Sequence, residues 1–179
     1  MKKKYYLAYG SNLNIWQMLT RCPDAEAIGV TEIPGYELLF KGSLTGSYLT
    51  IEKNPKGKVP AAVWATTAQD EAALDYYEGC PTFYYKKEME LPVTNLETGK
   101  ITRMKVYVYI MHEERRVGIP TKTYLETCLE GYEDFGFLKE YLFEAVERTR
   151  RLGHDLPRLR NQRISRKHWD QTAGTGTNP

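Results

Sequence analysis

Residues Thr82 to His112 read TFYYKKEMELPVTNLETGKITRMKVYVYIMH. Thr82–Val93 and Ile101–His112 are long runs rich in β-branched and aromatic side chains. Between them Thr94–Lys100 (TNLETGK) has the polar, glycine-containing chemistry of a hairpin connection. The sheet is therefore the organising element. Reading backwards, Val59–Thr66 (VPAAVWAT) predicts a buried strand, Asn54–Gly57 (NPKG) a turn, and Tyr48–Glu52 a further strand. Ala27–Ile33 and Tyr36–Phe40 read as strands on either side of Pro34-Gly35, with a Gly/Ser-rich turn at Gly42–Ser47. Lys4–Tyr9 (KYYLAY) is a first strand, broken by Gly10-Ser11-Asn12.

Helices are fewer. Asn14–Arg21 has Ile15, Met18 and Leu19 at helical spacing, and Pro23 stops it. Gln69–Tyr77 is capped by Thr67, with Asp70 and Glu71 in its first turn and Gly79 beyond its end. Its expected inner face carries Ala73 and Tyr76–Tyr77. Thr121–Leu129 and Gly136–Arg151 close the chain's ordered part, with breaks expected at Gly131 and Gly136. Strands, one inserted helix and terminal helices make an α+β chain, its sheet curled into a small mixed β-barrel with a few flanking helices. The expected division is a domain over 1–145, then a basic helix end and flexible tail over 146–179, ending in the small polar run TAGTGTNP.

The chain's 179 residues suit one domain, and 41% hydrophobic with 27% charged residues excludes collagen-like, wholly disordered and membrane classes. Pro60–Ala65 and Val106–Met111 are far too short to span a bilayer, and no apolar leader follows Met1-Lys2-Lys3-Lys4. The expectation is a cytoplasmic protein. Cys22, Cys80 and Cys128 form no CxxC pattern, and His112, His154 and His168 lack metal-ligand spacing, so neither a disulfide framework nor a metal is expected. Residues 1–145 carry 17 basic against 20 acidic side chains, residues 146–179 carry 8 against 3. That basic end reads as a solvated helix end and tail; the sharper reading is an anion-binding or nucleic-acid-binding arm, which has only Trp169 to stack on a base and no known nucleic-acid signature. Nothing in the sequence decides between monomer and homodimer.

Two features carry chemistry. A strand ending in Tyr9-Gly10-Ser11-Asn12 and opening a helix leaves several backbone N–H groups aimed one way, suited to an anion or a developing oxyanion. An ordinary strand-to-helix turn is the alternative. Glu78 follows Tyr76-Tyr77 at a helix C-terminus, where the dipole and aromatic neighbours favour the neutral acid and raise its pKa towards that of a base. A surface glutamate is the alternative there. Cys80 has no histidine nearby in sequence to activate it and reads as packing.

Together these pieces resemble a known family. Tyr6–Leu13 (YLAYGSNL) is similar to the opening strand and loop of the gamma-glutamyl cyclotransferases, and Leu49–Glu52, Val59–Trp64 and Ala73–Pro81 (ALDYYEGCP) resemble their second signature. The resemblance covers roughly residues 5–145 and implies a compact mixed barrel that converts a γ-glutamyl compound into 5-oxoproline and a free amine. It implies Glu78 as general base, and Tyr9, Gly10, Ser11 and Asn12 as the loop holding the glutamyl unit. Tyr85 matches a pocket tyrosine, with Tyr84 one residue away in the alignment, and Tyr124 matches another. The expected partner is a small γ-glutamyl molecule, with no cofactor and no membrane. A non-catalytic module binding a small anion or nucleotide on the same fold is the competing reading. Which amine leaves is not legible in the sequence.

Overall fold

The computed structural model describes residues 3–43 and 46–154. Among the described residues there are six strands: β1 (Lys4–Ala8), β2 (Glu26–Ser43), β3 (Gly46–Thr66), β4 (Tyr84–Asn95), β5 (Ile101–Met111) and a short β6 (Arg116–Val117). Their order is β3-β1-β5-β4-β2-β6, and β2 also pairs with β3, so five strands close into a ring with β6 on its flank. All pairings are antiparallel except β1 with β5, which run parallel through Tyr6 and Tyr107. This is the expected α+β fold, a mixed barrel. Leu7, Phe40, Ile51, Val63, Trp64, Val108 and Tyr109 are all essentially buried, so the strands are covered on both faces, one by the barrel interior and the other by the flanking helices and loops.

The hairpin of β4 and β5 forms as read, its connection held by Asn95, whose side-chain oxygen accepts from the N–H groups of Glu97 and Thr98 at 3.1 and 2.8 Å. The segments read as four strands between Ala27 and Thr66 are instead two continuous ones. Pro34-Gly35 and Asn54–Gly57 do not end them. The register steps from Pro34↔Lys58 to Tyr36↔Lys53, so the turn-forming residues of both strands meet in one bulge. A bulge bends and twists a pair without breaking it. That bend, with another register shift between Ala27 and Gly29, lets a single long hairpin contribute to closing a barrel.

Four helices among the described residues flank the ring: α1 (Ile15–Arg21), α2 (Ala68–Glu78), α3 (Lys122–Asp134) and α4 (Glu140–His154). A 3-10 turn, Ser11–Leu13, precedes α1. Helix α3 runs through Gly131 rather than stopping there. Helix α4 crosses residue 145 without interruption, burying Leu142, Ala145 and Val146; Thr149 Oγ1 accepts the N–H of Phe40 at 3.1 Å, and Arg148 donates to the carbonyl of Leu38 at 2.8 Å. The stretch 146–154 is thus docked on β2. Residues 155–179, with the basic run, Trp169 and the TAGTGTNP end, lie outside the described residues. No described helix is long and apolar enough to cross a membrane.

Candidate active site

The end of β1 delivers the chain to Gly10 and the 3-10 turn. Leu13 N–H donates to the Gly10 carbonyl at 2.9 Å, and Asn14 N–H to that of Ser11 at 3.1 Å. The amides ahead of Leu13 stand at the start of a helical turn, where the turn itself offers no acceptor. Ser11 and Asn12 are buried. Asn14 caps α1 by accepting from Gln17 N–H at 3.0 Å, and its amide donates to Glu130 Oε2 of α3 at 2.8 Å. The loop is therefore clamped from behind by α3.

Helix α2 starts in a capping box. Thr67 Oγ1 accepts from Asp70 N–H at 3.2 Å, and Asp70 Oδ2 accepts from Thr67 N–H at 2.8 Å. It ends at Gly79, whose φ of +60° is left-handed, the conformation glycine supplies at little cost. Asp70 and Leu74 are its buried residues, and Glu78 follows at the same spacing of four, one side of a helix. Tyr76 and Tyr77, expected inside, point outwards, with Tyr76 91% exposed. The reason is phase: once Leu74 is anchored inwards, position 76 falls about 200° round the helix and turns away, while Tyr77 lies at the edge of the inner face, its ring against the Arg21 guanidinium.

Glu78 meets the loop. Asn12 Nδ2 donates to Glu78 Oε1 at 2.9 Å across 66 residues of chain, and also to Tyr6 Oη at 2.9 Å. The residue as a whole is half-buried, and burial raises its carboxyl pKa to about 7. The Arg21 guanidinium and the Asn12 hydrogen bond act in the opposite direction but do not cancel that rise. The raised pKa matches the sequence expectation in direction, but the cause is burial inside the fold rather than Tyr76.

The other expected residues divide. Tyr9 is buried; its hydroxyl donates to the Tyr109 carbonyl at 2.7 Å, and its own carbonyl accepts from Tyr132 Oη at 3.3 Å. Tyr124 Oη accepts from Leu49 N–H at 3.1 Å and stands 3.5 Å from where a Cβ on Gly10 would lie, which puts it against the loop. Tyr85 stands apart. Its hydroxyl donates to Glu113 Oε1 at 2.8 Å and its ring lies by His112. Its neighbour Tyr84 is the inward one, buried and donating to the Leu49 carbonyl at 2.8 Å. Burial raises the phenols of Tyr6, Tyr9, Tyr84 and Tyr124, and the charge of Glu78 adds to each rise. All four are neutral phenols whose electrostatics include the acid.

Sequence reasoning missed Tyr6 and Arg21, and it gave Tyr84 only as the neighbour of Tyr85. Tyr6 and Tyr84 carried a signal, since strand alternation puts Tyr6 on one face with Ala8 and separates Tyr84 from Tyr85. Burial and the nearby Asp75 push the Cys80 thiol up, away from the reactive thiolate. Among the described residues one group could hold a cation, His112, Glu113 and Glu114, whose donor atoms lie within 4.8 Å of one another. Its two glutamates are exposed. His112 Nε2 is 2.7 Å from the Pro81 carbonyl and Glu113 already accepts from Tyr85, so no metal is assigned to it.

Comparison with known proteins places this arrangement. The sequence model described as "Gamma-glutamyl cyclotransferase, AIG2-like" matches residues 6–126, which include the loop, Glu78 and Tyr124. No curated protein matches. Among solved structures, one titled "Gamma-glutamyl cyclotransferase" superposes with a TM-score of 0.65 at 24% identity, covering 95% of this chain and 98% of its own. An uncharacterised Homo sapiens protein gives the same score and identity over 96% and 98%. YkqA from Bacillus subtilis gives 0.60 at 18% identity over 88% of this chain and 56% of its own. At these identities the structures show a shared fold. The match to the family's own sequence pattern, over most of the chain and through both halves of the site, makes this protein a member of the AIG2-like gamma-glutamyl cyclotransferase family.

Proposed function

We propose that this protein closes a γ-glutamyl compound into 5-oxoproline with release of an amine, and that Glu78 moves the protons. The observation that carries this reading is the Asn12–Glu78 hydrogen bond of 2.9 Å, which joins a turn of backbone amides to an acid of near-neutral pKa. In a γ-glutamyl compound the α-nitrogen lies four bonds from its own γ-carbonyl carbon. Attack forms a five-membered lactam, so the nucleophile belongs to the substrate and the protein needs neither a serine nor a cysteine for it.

The protein's tasks are then three. The Glu78 carboxylate takes a proton from the α-ammonium, freeing the lone pair for attack on the carbonyl carbon. Amides at Gly10–Asn12 stabilise the oxyanion that forms as the C=O opens; one such donor is typically worth about 3 kcal/mol. As the tetrahedral adduct collapses, the C–N bond to the leaving group breaks and protonated Glu78 returns its proton to the departing nitrogen. Over the cycle the attacking nitrogen gives up two protons and the departing amine ends with both. An acid near pH 7 suits both directions of transfer. Tyr9 and Tyr124 line the loop, and folding the substrate chain for attack can supply roughly 7–11 kcal/mol in favourable cases.

The test is a panel of γ-glutamyl amino acids, γ-glutamyl amines and γ-glutamyl peptides assayed for 5-oxoproline by mass spectrometry. Lactam from at least one class is expected. A folded protein that forms none from any class, but whose melting temperature rises with small anions, would replace the reading with a binding module.

A further inference from the structure

Arg21, the last residue of α1, is engaged on three sides. Its Nη1 donates to Asn12 Oδ1, its Nη2 donates to Gln17 Oε1 at 3.2 Å, and its guanidinium carbon lies 3.5 Å from the centre of the Tyr77 ring. A guanidinium can only donate, so the Asn12 atom facing it must be the oxygen. The amide nitrogen of Asn12 is thereby turned to Glu78 and Tyr6. The opposite flip would present an oxygen to Glu78. An oxygen there favours the protonated acid, which can donate to it, whereas the NH2 favours the carboxylate, which can only accept.

We propose that Arg21 is a positioning residue: by holding the oxygen of Asn12, it fixes the side-chain amide as a donor to Glu78 and so selects the ionised form of that acid. The inference rests on the reading of Glu78 as the base. Around Glu78 the facing groups are Asn12 in the turn, Arg21 on α1, and the neutral phenols of Tyr6 (β1), Tyr9, Tyr84 (β4) and Tyr124 (α3). Arg21 supplies the cationic influence on the acid, in the same direction as the amide it orients. Arg21 in turn faces Gln17 on its own helix, Tyr77 on α2, and Cys22, whose surroundings include Asp70.

The experiment compares wild type, Arg21→Gln and Arg21→Lys by two readouts. One is the pH dependence of kcat/KM for lactam formation. The other is a 13C NMR titration of the Glu78 carboxyl, assigned with Glu78→Gln, which needs no turnover. Arg21→Gln is expected to move the acid limb and the NMR midpoint up by on the order of one pH unit. Activity near pH 7 then falls about fivefold, and less at higher pH, because the ionised fraction of a base of pKa about 7 drops accordingly. Arg21→Lys restores the midpoint towards wild type. A midpoint in folded Arg21→Gln that equals wild type overturns the proposal. If Arg21→Gln does not fold, Tyr77→Leu and Gln17→Ala, which free the guanidinium, carry the same test: an upward shift supports the role and unchanged midpoints in both overturn it. A shifted NMR midpoint with no lactam from any substrate would sustain the role of Arg21 and sink the cyclase reading instead.

Discussion

Gly131 and Asn14 are packed so closely that a Cβ on the glycine would sit 2.4 Å from the Asn14 backbone nitrogen and 2.7 Å from the carbonyl carbon of Leu13. The glycine lies inside α3, where alanine would be the better helix former by about 1 kcal/mol. Its presence is explained by the turn behind the site, which needs the helix backbone within touching distance. Gly131→Ala is therefore expected to destabilise the protein by about 1–3 kcal/mol despite the gain in helix propensity, read as a lower urea midpoint. An increase in stability would mean that the turn does not rest on α3.

If Glu78 is the base proposed above, removing it removes the proposed chemistry. Glu78→Gln preserves the hydrogen bond from Asn12 but cannot take a proton, so 5-oxoproline formation is expected to fall by about 10²–10⁴-fold. For the wild type, kcat/KM should rise with pH through a midpoint near 7. An undiminished rate in Glu78→Gln would show that the proton goes elsewhere.

The same acid should leave a mark on stability. Folding raises the Glu78 pKa from 4.5 to about 7, so the native state holds its proton more tightly than the unfolded chain. The stabilisation is fully present below about pH 4.5 and lost as pH climbs through 7. Relative to Glu78→Gln, the wild type is expected to lose about 1–3 kcal/mol across that window. Urea midpoints of the two proteins at a series of pH values read the difference directly; parallel profiles would place the carboxyl in water.

Adjacent tyrosines should behave differently. Tyr84→Phe leaves the buried Leu49 carbonyl without its donor and is expected to cost about 1–2 kcal/mol. Tyr85→Phe breaks only a hydrogen bond to exposed Glu113, and is expected to cost less than about 0.5 kcal/mol. Denaturation of both variants tests which ring faces the barrel interior. Equal costs would contradict the inward placement of Tyr84.

Much of the fold was written locally. The runs Thr82–Val93 and Ile101–His112 could only be strands around a hairpin, because their side chains and the TNLETGK link suit nothing else. Thr67 with Asp70 began α2 and Gly79 ended it, since caps act within a few residues of the backbone they satisfy. Turn chemistry at Pro34-Gly35 and Asn54–Gly57 was read correctly as irregularity but wrongly as an end. Whether such residues stop a strand or bend it depends on whether a partner strand is irregular opposite them.

What the sequence by itself determined was the kind of the longer elements and the two candidates that the proposed site joins, the Gly10–Asn12 turn and Glu78, because capping, alternation and glycine conformations are settled between near neighbours. Only the tertiary structure decided which way the pieces face: Tyr84 inwards and Tyr85 out, Tyr76 in solvent, Gly131 against Asn14, and Arg21 on the far side of Asn12. Those relations join residues far apart in the chain, and they follow from closing the ring of strands and burying one face of each helix, a balance of packing that no short stretch of sequence contains.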